Sequence, residues 1–198
     1  MISPSFIHVA DDVLPDSLCS RLIEAIDRAS NEGYAQVAAE EWRRCTLLSI
    51  PNERTEGSEA LVEDWKSAIR PVVDKYKKLY DEGTLNWCSQ IERPQVIKYA
   101  ANVEAKQHFH LHADCWSTCS ATRQLSIITY LNDVAEGGET IFPKHYVSVP
   151  PKRGSVLLFP PAFTHAHLAK PPISGDKYIM TSWLHFHGLG VQYAVMPF

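Results

Sequence analysis

His108-Phe109-His110-Leu111-His112-Ala113-Asp114 is the stretch on which the fold and the chemistry of this chain turn. A regular strand points alternate side chains to one face, so this run would present three imidazoles and a carboxylate on the same side. Two neutral imidazoles and one carboxylate form the donor set that holds one face of a non-haem iron(II) and leaves positions open for a co-substrate and dioxygen. His112 and Asp114, two residues apart, supply two such donors, and a second His must come from further along.

A His-x-Asp pair alone is weak evidence, and the context lies downstream. The run Phe159-Pro160-Pro161-Ala162-Phe163-Thr164-His165-Ala166-His167 offers two candidates for the third donor, and on a regular strand both would share a face. Lys177 follows His167 by ten residues and Trp183 comes six later. Between the two motifs, Arg123 to Asp133 and Glu136-Gly137-Gly138-Glu139-Thr140-Ile141-Phe142-Pro143 read as a strand, a turn and a second strand.

Over about residues 94–187 these motifs resemble the Fe(II)/2-oxoglutarate-dependent oxygenases of the prolyl 4-hydroxylase type, while residues 1–93 match only loosely. The resemblance implies iron held by His112, Asp114 and His167, because family members place the Lys or Arg that binds 2-oxoglutarate ten residues after their distal His. It assigns Lys177 and Tyr99 to the distal carboxylate of 2-oxoglutarate, Ser126 and Trp183 to the co-substrate pocket, and Arg123 to substrate contact. The implied cofactors are Fe(II), 2-oxoglutarate and dioxygen. The implied reaction converts 2-oxoglutarate to succinate and carbon dioxide while hydroxylating an unactivated C–H bond. A carboxylate at 114 argues against the halogenase variant, in which a small residue leaves that position to halide. The chain departs from the animal and plant prolyl hydroxylases between Ala100 and Leu111, where the interval is longer and their glycine is absent. His108 and His110 have no ligand counterpart and are assigned to the surface or the approach to the pocket. Two other classes stay open: a cupin-like metalloenzyme using His110, His112 and a distal His without 2-oxoglutarate, and a non-catalytic jelly-roll binding protein.

The chain has 198 residues, enough for one compact domain with a sizeable core. A net charge of −4 with 21% charged residues offers no basic field for nucleic acid or an anionic membrane. The start lacks a basic segment followed by an apolar one, and no stretch reaches about 18 uninterrupted apolar residues; a soluble, cytoplasmic protein is expected. The five cysteines lack disulfide-framework spacing, so reduced thiols are expected, with Cys115 and Cys119 placed near any iron.

Apolar spacing predicts helices over residues 16–30, capped by Asp16 or Ser17, and over 58–80, kinked or split at Pro71. Strands are expected at 43–50, 94–100, 106–114, 123–132, 139–142, 146–149, 154–159, 163–168 and 177–187. The predicted class is α+β: a double-stranded β-helix, or jelly roll, with the N-terminal helices packed on one sheet. One oxygenase domain spans 1–198, with a helical buttress and first strands to residue 93, a catalytic core over 94–187 and a tail from 188. The substrate is read as a prolyl peptide, a free amino acid or a related small metabolite, selected by loops 33–42, 51–58, 100–108 and 115–122.

Overall fold

The computed structural model describes residues 5–80, 83–101, 104, 106–186 and 195–198. In chain order the elements are β1 (His8–Ala10), α1 (Asp16–Asn31), β2 (Gln36–Glu40), β3 (Arg43–Ser49), α2 (Ser58–Tyr80), β4 (Gln90–Glu92), β5 (Gln95–Tyr99), β6 (His108–His112), β7 (Arg123–Tyr130), β8 (Thr140–Phe142), β9 (Val147–Val149), β10 (Val156–Phe159), β11 (His167–Ala169), β12 (Lys177–His185) and β13 (Val195–Pro197). The strands pair antiparallel in one curled sheet, ordered β1-β10-β7-β12-β5-β3-β6-β11-β8-β9, with β2 on β3 and β4 between β12 and β13. The helix of each N-terminal segment covers the outside of this sheet: α1 lies on β3 and β5, and α2 on β10.

Both helices form on apolar stripes at helical spacing. Leu18, Leu22, Ala25, Ile26 and Ala29 are buried along α1, and Leu61, Trp65, Ile69, Val73 and Tyr76 along α2. The cap expected from Asp16 or Ser17 is not made. Pro15 stands at the N-cap in an extended conformation, and Asp16 instead accepts a hydrogen bond from Arg153 Nε (2.8 Å). Nor does Pro71 split α2, because the buried stripe continues on both sides of it and tertiary packing outweighs one missing backbone bond.

The period of two in the strands sorts apolar residues into two cores. Leu48, Val96, Leu125, Ile127, Val156, Leu158, Met180 and Leu184 pack with the helices. Their neighbours Leu47, Ile97, Ile128, Leu157, Phe159 and Ile179 face into the curl, with Tyr99, Tyr130 and Phe142. Across the first core, Trp65 Nε1 donates to Thr129 Oγ1 (3.0 Å) and ties α2 to β7.

Four short strands were not expected from the sequence. β1 and β4 are only three residues long, and β2 is exposed along most of its length, so none carries a readable alternation. β13 pairs with β4 inside the segment expected as a tail, whose residues 188–194 lie outside the described residues. The strand expected over 163–168 is instead a 3-10 turn, Phe163–His165, followed by β11. Among the described residues no helix is long and apolar enough to cross a membrane, and no disulfide joins any of the five cysteines.

Candidate active site

Strand pairing assembles the donors. His112 at the end of β6 and His167 at the start of β11 are direct cross-strand partners, and Asp114 follows two residues after His112. One ligand atom from each lies within 4.8 Å of the others. The imidazoles are oriented from behind: His112 Nδ1 is 2.7 Å from the His110 carbonyl oxygen, and His167 Nδ1 is 3.2 Å from that of His165. With the Nδ1 proton donated to a carbonyl, each Nε2 keeps its lone pair for a metal. His112 Nε2 lies 3.6 Å from Asp114 Oδ1, and Ser126 Oγ donates to Asp114 Oδ2 (2.6 Å).

Burial would push the Asp114 carboxyl up, but His167, His112 and the Ser126 hydroxyl outweigh it and hold the group well below the usual carboxylate range. Burial pulls His167 down to about 4, against the attraction of Asp114. An ionised carboxylate between two imidazole nitrogens is the donor chemistry that iron(II) requires, and the three residues fit that metal.

His165 does not share the cluster. Its Nε2 meets the Ser5 carbonyl oxygen (2.8 Å), its Nδ1 meets Thr164 Oγ1 (2.9 Å), and its ring stacks on His145. The shared face expected for His108, His110 and His112 is also broken. Between the pairs His167 with His112 and Ala169 with Phe109, β6 uses one residue more than β11, a bulge that shifts its phase. Phe109 therefore comes to the site, its ring stacked on His112 at 3.5 Å between centres, while His108 and His110 stack on each other.

A cavity of about 260 Å³ opens beside the donors. Lys177, Ile179, Thr181 and Trp183, the alternate residues of β12, line one wall, and Tyr99 lies opposite Lys177 in register on β5. Lys177 is 1% exposed, and its hydrogen bond among the described residues runs to the Gly138 carbonyl oxygen (2.6 Å). Burial pulls its ammonium down to about 7, with Glu139 pulling the other way. Such a group is poised to gain from a bound anion. Burial raises the Tyr99 phenol well above its ordinary value.

Ser126, expected to face the co-substrate, donates its hydroxyl to the Asp114 carboxylate instead. Arg123 also carries a structural bond set: Nε and Nη2 form a bidentate pair with Glu92 (2.8 and 2.6 Å), and Nη1 donates to the Asp114 carbonyl oxygen (2.9 Å). Its guanidinium lies 3.7 Å from the centre of a Trp183 ring. Glu92 also meets His185 Nε2 (2.9 Å). Glu92, His185, Phe109 and Arg43 escaped the sequence reading. For the first three no local signal exists, since their partners are set by long-range pairing or by the bulge. Arg43 could have been found, because it is in phase with the inward residues Cys45 and Leu47 of a strand that was expected.

Residues 94–185 match the family model described as the 2OG-Fe(II) oxygenase superfamily. Over 137 residues the chain is 28% identical to the prolyl 4-hydroxylase subunit alpha-1 of Gallus gallus, an alignment covering 63% of this chain and 27% of that one. The chain thus spans about a quarter of that relative's length. A viral collagen prolyl hydroxylase from Paramecium bursaria Chlorella virus-1, solved with 2-oxoglutarate, has a similar fold: TM-score 0.69 at 20% identity, covering 94% of this chain and 99% of that one. A prolyl hydroxylase from Trichoplax adhaerens, solved with a hypoxia-inducible-factor peptide fragment, gives 0.71 at 16% identity over 93% and 86% of the two chains.

Proposed function

We infer that this chain, whose residues 94–185 match the model of the 2OG-Fe(II) oxygenase superfamily, is an Fe(II)- and 2-oxoglutarate-dependent dioxygenase that hydroxylates an unactivated C–H bond. The observation that carries the reading is the meeting, in one cavity, of the His112, Asp114 and His167 donors with the buried Lys177 ammonium. When bound, iron with 2-oxoglutarate and dioxygen supplies the oxidising chemistry. The protein's own part is positioning. His112, Asp114 and His167 would hold one face of the metal, kept in their rotamers by the His110 and His165 carbonyls and by Ser126. Lys177 would receive the distal carboxylate of 2-oxoglutarate, with the Tyr99 and Tyr130 rings 5.4 and 5.5 Å from its Nζ excluding water.

The curled sheet is read as a jelly-roll, double-stranded β-helix core of a single oxygenase domain, buttressed on one side by the two helices. The substrate is read as a prolyl peptide, a free amino acid or a related metabolite, encountered in the cytoplasm. The cavity is small for a pocket holding both a co-substrate and a substrate, so of a peptide only the reacting end would enter. Trp42 and Trp116, half or more exposed yet lining the same cavity, offer apolar surface to the remainder. Of the loops expected to select it, 33–42 is largely the β2 hairpin, and Asn102, Val103 and Ala105 lie outside the described residues.

The test is anaerobic titration of the protein with Fe(II) and 2-oxoglutarate, followed by oxygenation with a metabolite and peptide library and mass analysis of products. Succinate together with a product heavier by one oxygen supports the reading. An iron-loaded protein that neither binds 2-oxoglutarate nor forms succinate overturns it and returns the cupin-like alternative.

A further inference from the structure

The cavity holds one more cation than its co-substrate requires. Arg43 opens β3 in phase with Cys45 and Leu47, which face the interior of the curl, and it lines the cavity that contains the metal donors. Its guanidinium carbon lies 4.9 Å from the centre of the Phe109 ring, which also stacks on the His112 imidazole and lies 5.4 Å from the Trp42 ring. Its charge and a hydrogen bond to the neutral Cys45 side chain pull against the burial that raises that thiol, and its charge pulls against the burial that raises the Tyr99 phenol. Its Nε is buried and has no hydrogen-bond partner. No carboxylate among the described residues pairs with it, including Glu40, its register partner across the β2–β3 hairpin.

Charge balance says what is missing. A divalent iron, the Asp114 carboxylate, the 2-oxoglutarate dianion and the Lys177 ammonium cancel one another. Arg123 cancels Glu92 (2.6 Å), and Glu139 has Lys170 at 3.9 Å. Arg43 is left over. An uncompensated guanidinium at the edge of a desolvated site is costly unless a ligand supplies an anion, and its planar fork matches a carboxylate. The remaining buried donor on the cavity wall without a partner, Trp183 Nε1, also calls for an acceptor on the ligand.

We propose that Arg43 binds a carboxylate of the substrate to be hydroxylated, so that the enzyme acts on a small carboxylic acid, such as a free amino acid, presented by its carboxylate next to the metal face. The proposal rests on the oxygenase reading for the presence of 2-oxoglutarate and deepens it by naming the substrate class. Lys177, deep in the cavity and enclosed by Tyr99 and Tyr130, serves the co-substrate. Arg43, adjoining the half-exposed Trp42, serves the molecule that enters afterwards.

The test uses the full chain loaded anaerobically with Fe(II), with and without 2-oxoglutarate. Apolar L-amino acids, proline included, are titrated beside their primary amides and followed by tryptophan fluorescence. In the wild type at least one acid should bind about tenfold or more tighter than its amide, and Arg43→Gln should abolish that difference. Amide and 2-oxoglutarate affinities should stay unchanged in Arg43→Gln, which also shows that the variant is folded. Should Arg43→Gln fail to fold, Arg43→Lys decides: a compact ammonium cannot reproduce the fork, so acid affinity should fall severalfold with amide affinity unchanged. A wild type that prefers no acid to its amide overturns the proposal, as does unchanged acid affinity in these variants. A loss of 2-oxoglutarate affinity in Arg43→Gln matching that of Lys177→Ala also overturns it, by assigning Arg43 to the co-substrate. If the wild type fails to bind 2-oxoglutarate, the oxygenase reading falls, while the acid and amide titrations without 2-oxoglutarate still decide the role of Arg43.

Discussion

β12 is buried along all nine residues, yet its two faces follow opposite rules. Toward the helices it presents Tyr178, Met180 and Leu184, packed in an apolar core. Toward the cavity it presents Lys177, whose ammonium has one hydrogen bond, to the Gly138 carbonyl oxygen, Thr181, which donates to that of Ile127 (3.2 Å), and Trp183, whose Nε1 has no hydrogen-bond partner. β7 repeats the division, with Leu125, Ile127 and Thr129 on the helix side and Ser126 on the metal side. Burial alone therefore does not separate core from site. What separates them is whether the buried polar groups are satisfied from within the fold, and a face that leaves them wanting is a face built for a ligand.

The sharpest break of this comparison is removal of the donors. His112→Ala, Asp114→Ala and His167→Ala should each weaken iron binding and abolish succinate formation, whereas His165→Ala should retain much of both, because its ring nitrogens already bond Ser5 and Thr164. Metal content and succinate yield on the same preparations check this, and iron lost from His165→Ala but kept by His167→Ala would reverse the assignment.

Lys177 tests the cavity face by itself. Lys177→Ala should keep iron but weaken 2-oxoglutarate binding by about 2–5 kcal/mol, as for truncating one partner of a buried charge pair. The pH dependence has a definite sign. In the ligand-free protein the ammonium loses its proton above about 7, whereas the dianion needs it charged. Binding above pH 7 thus takes up a proton, and affinity should fall with rising pH by at most about tenfold per unit. Calorimetry in buffers of different ionisation enthalpy reads that proton directly. Stability runs the other way: from about pH 7 up to the ordinary lysine value the unfolded chain binds more protons than the folded one, so ligand-free stability rises with pH there. Lys177→Met should flatten that slope and raise the melting temperature while losing 2-oxoglutarate.

The helix face gives the complementary result. Leu184→Ala should lower stability by about 2–5 kcal/mol through the cavity it leaves, and leave the 2-oxoglutarate affinity of the folded protein where it was. Denaturant midpoints and co-substrate titration check the two halves, and a large loss of 2-oxoglutarate affinity would show that the faces are not independent.

The division between the faces was largely legible in the sequence. A period of two, interrupted by turn residues, places β5, β7, β8, β9, β10 and β12 near the observed elements, and helical spacing places α1 and α2. His112, Asp114, His167 and Lys177 were legible as a set only through the resemblance, since alternation treats His165 and His167 alike. What failed was whatever depends on a local break in periodicity or on distant partners. The bulge in β6 turns His108 and His110 away and brings Phe109 in, because one extra residue inverts the phase. The Glu92, Arg123 and His185 network joins residues 31 and 93 positions apart, and no local pattern records such a pairing.

The smallest expected effects come from two hydroxyls on β7 that point to opposite faces. Ser126 Oγ donates to the carboxylate oxygen of Asp114 (2.6 Å), and Thr129 Oγ1 accepts from the Trp65 indole of α2 (3.0 Å). Both residues are fully buried, so each loss leaves one partner unsatisfied. The partners differ in what they do next. An Asp114 freed of its hydrogen bond is a less well oriented ligand, so Ser126→Ala should reduce metal affinity about 10–100-fold, as for other outer partners of metal ligands, and change stability little. A Trp65 indole without its acceptor is a buried unsatisfied donor, so Thr129→Val should lower stability by about 1–3 kcal/mol and leave metal affinity alone. Urea midpoints and competitive metal titration on both variants make the comparison within a single strand. If Thr129→Val weakened metal binding as much as Ser126→Ala, the helix face would be supporting the site through the sheet, and the two faces would have to be treated as one coupled unit.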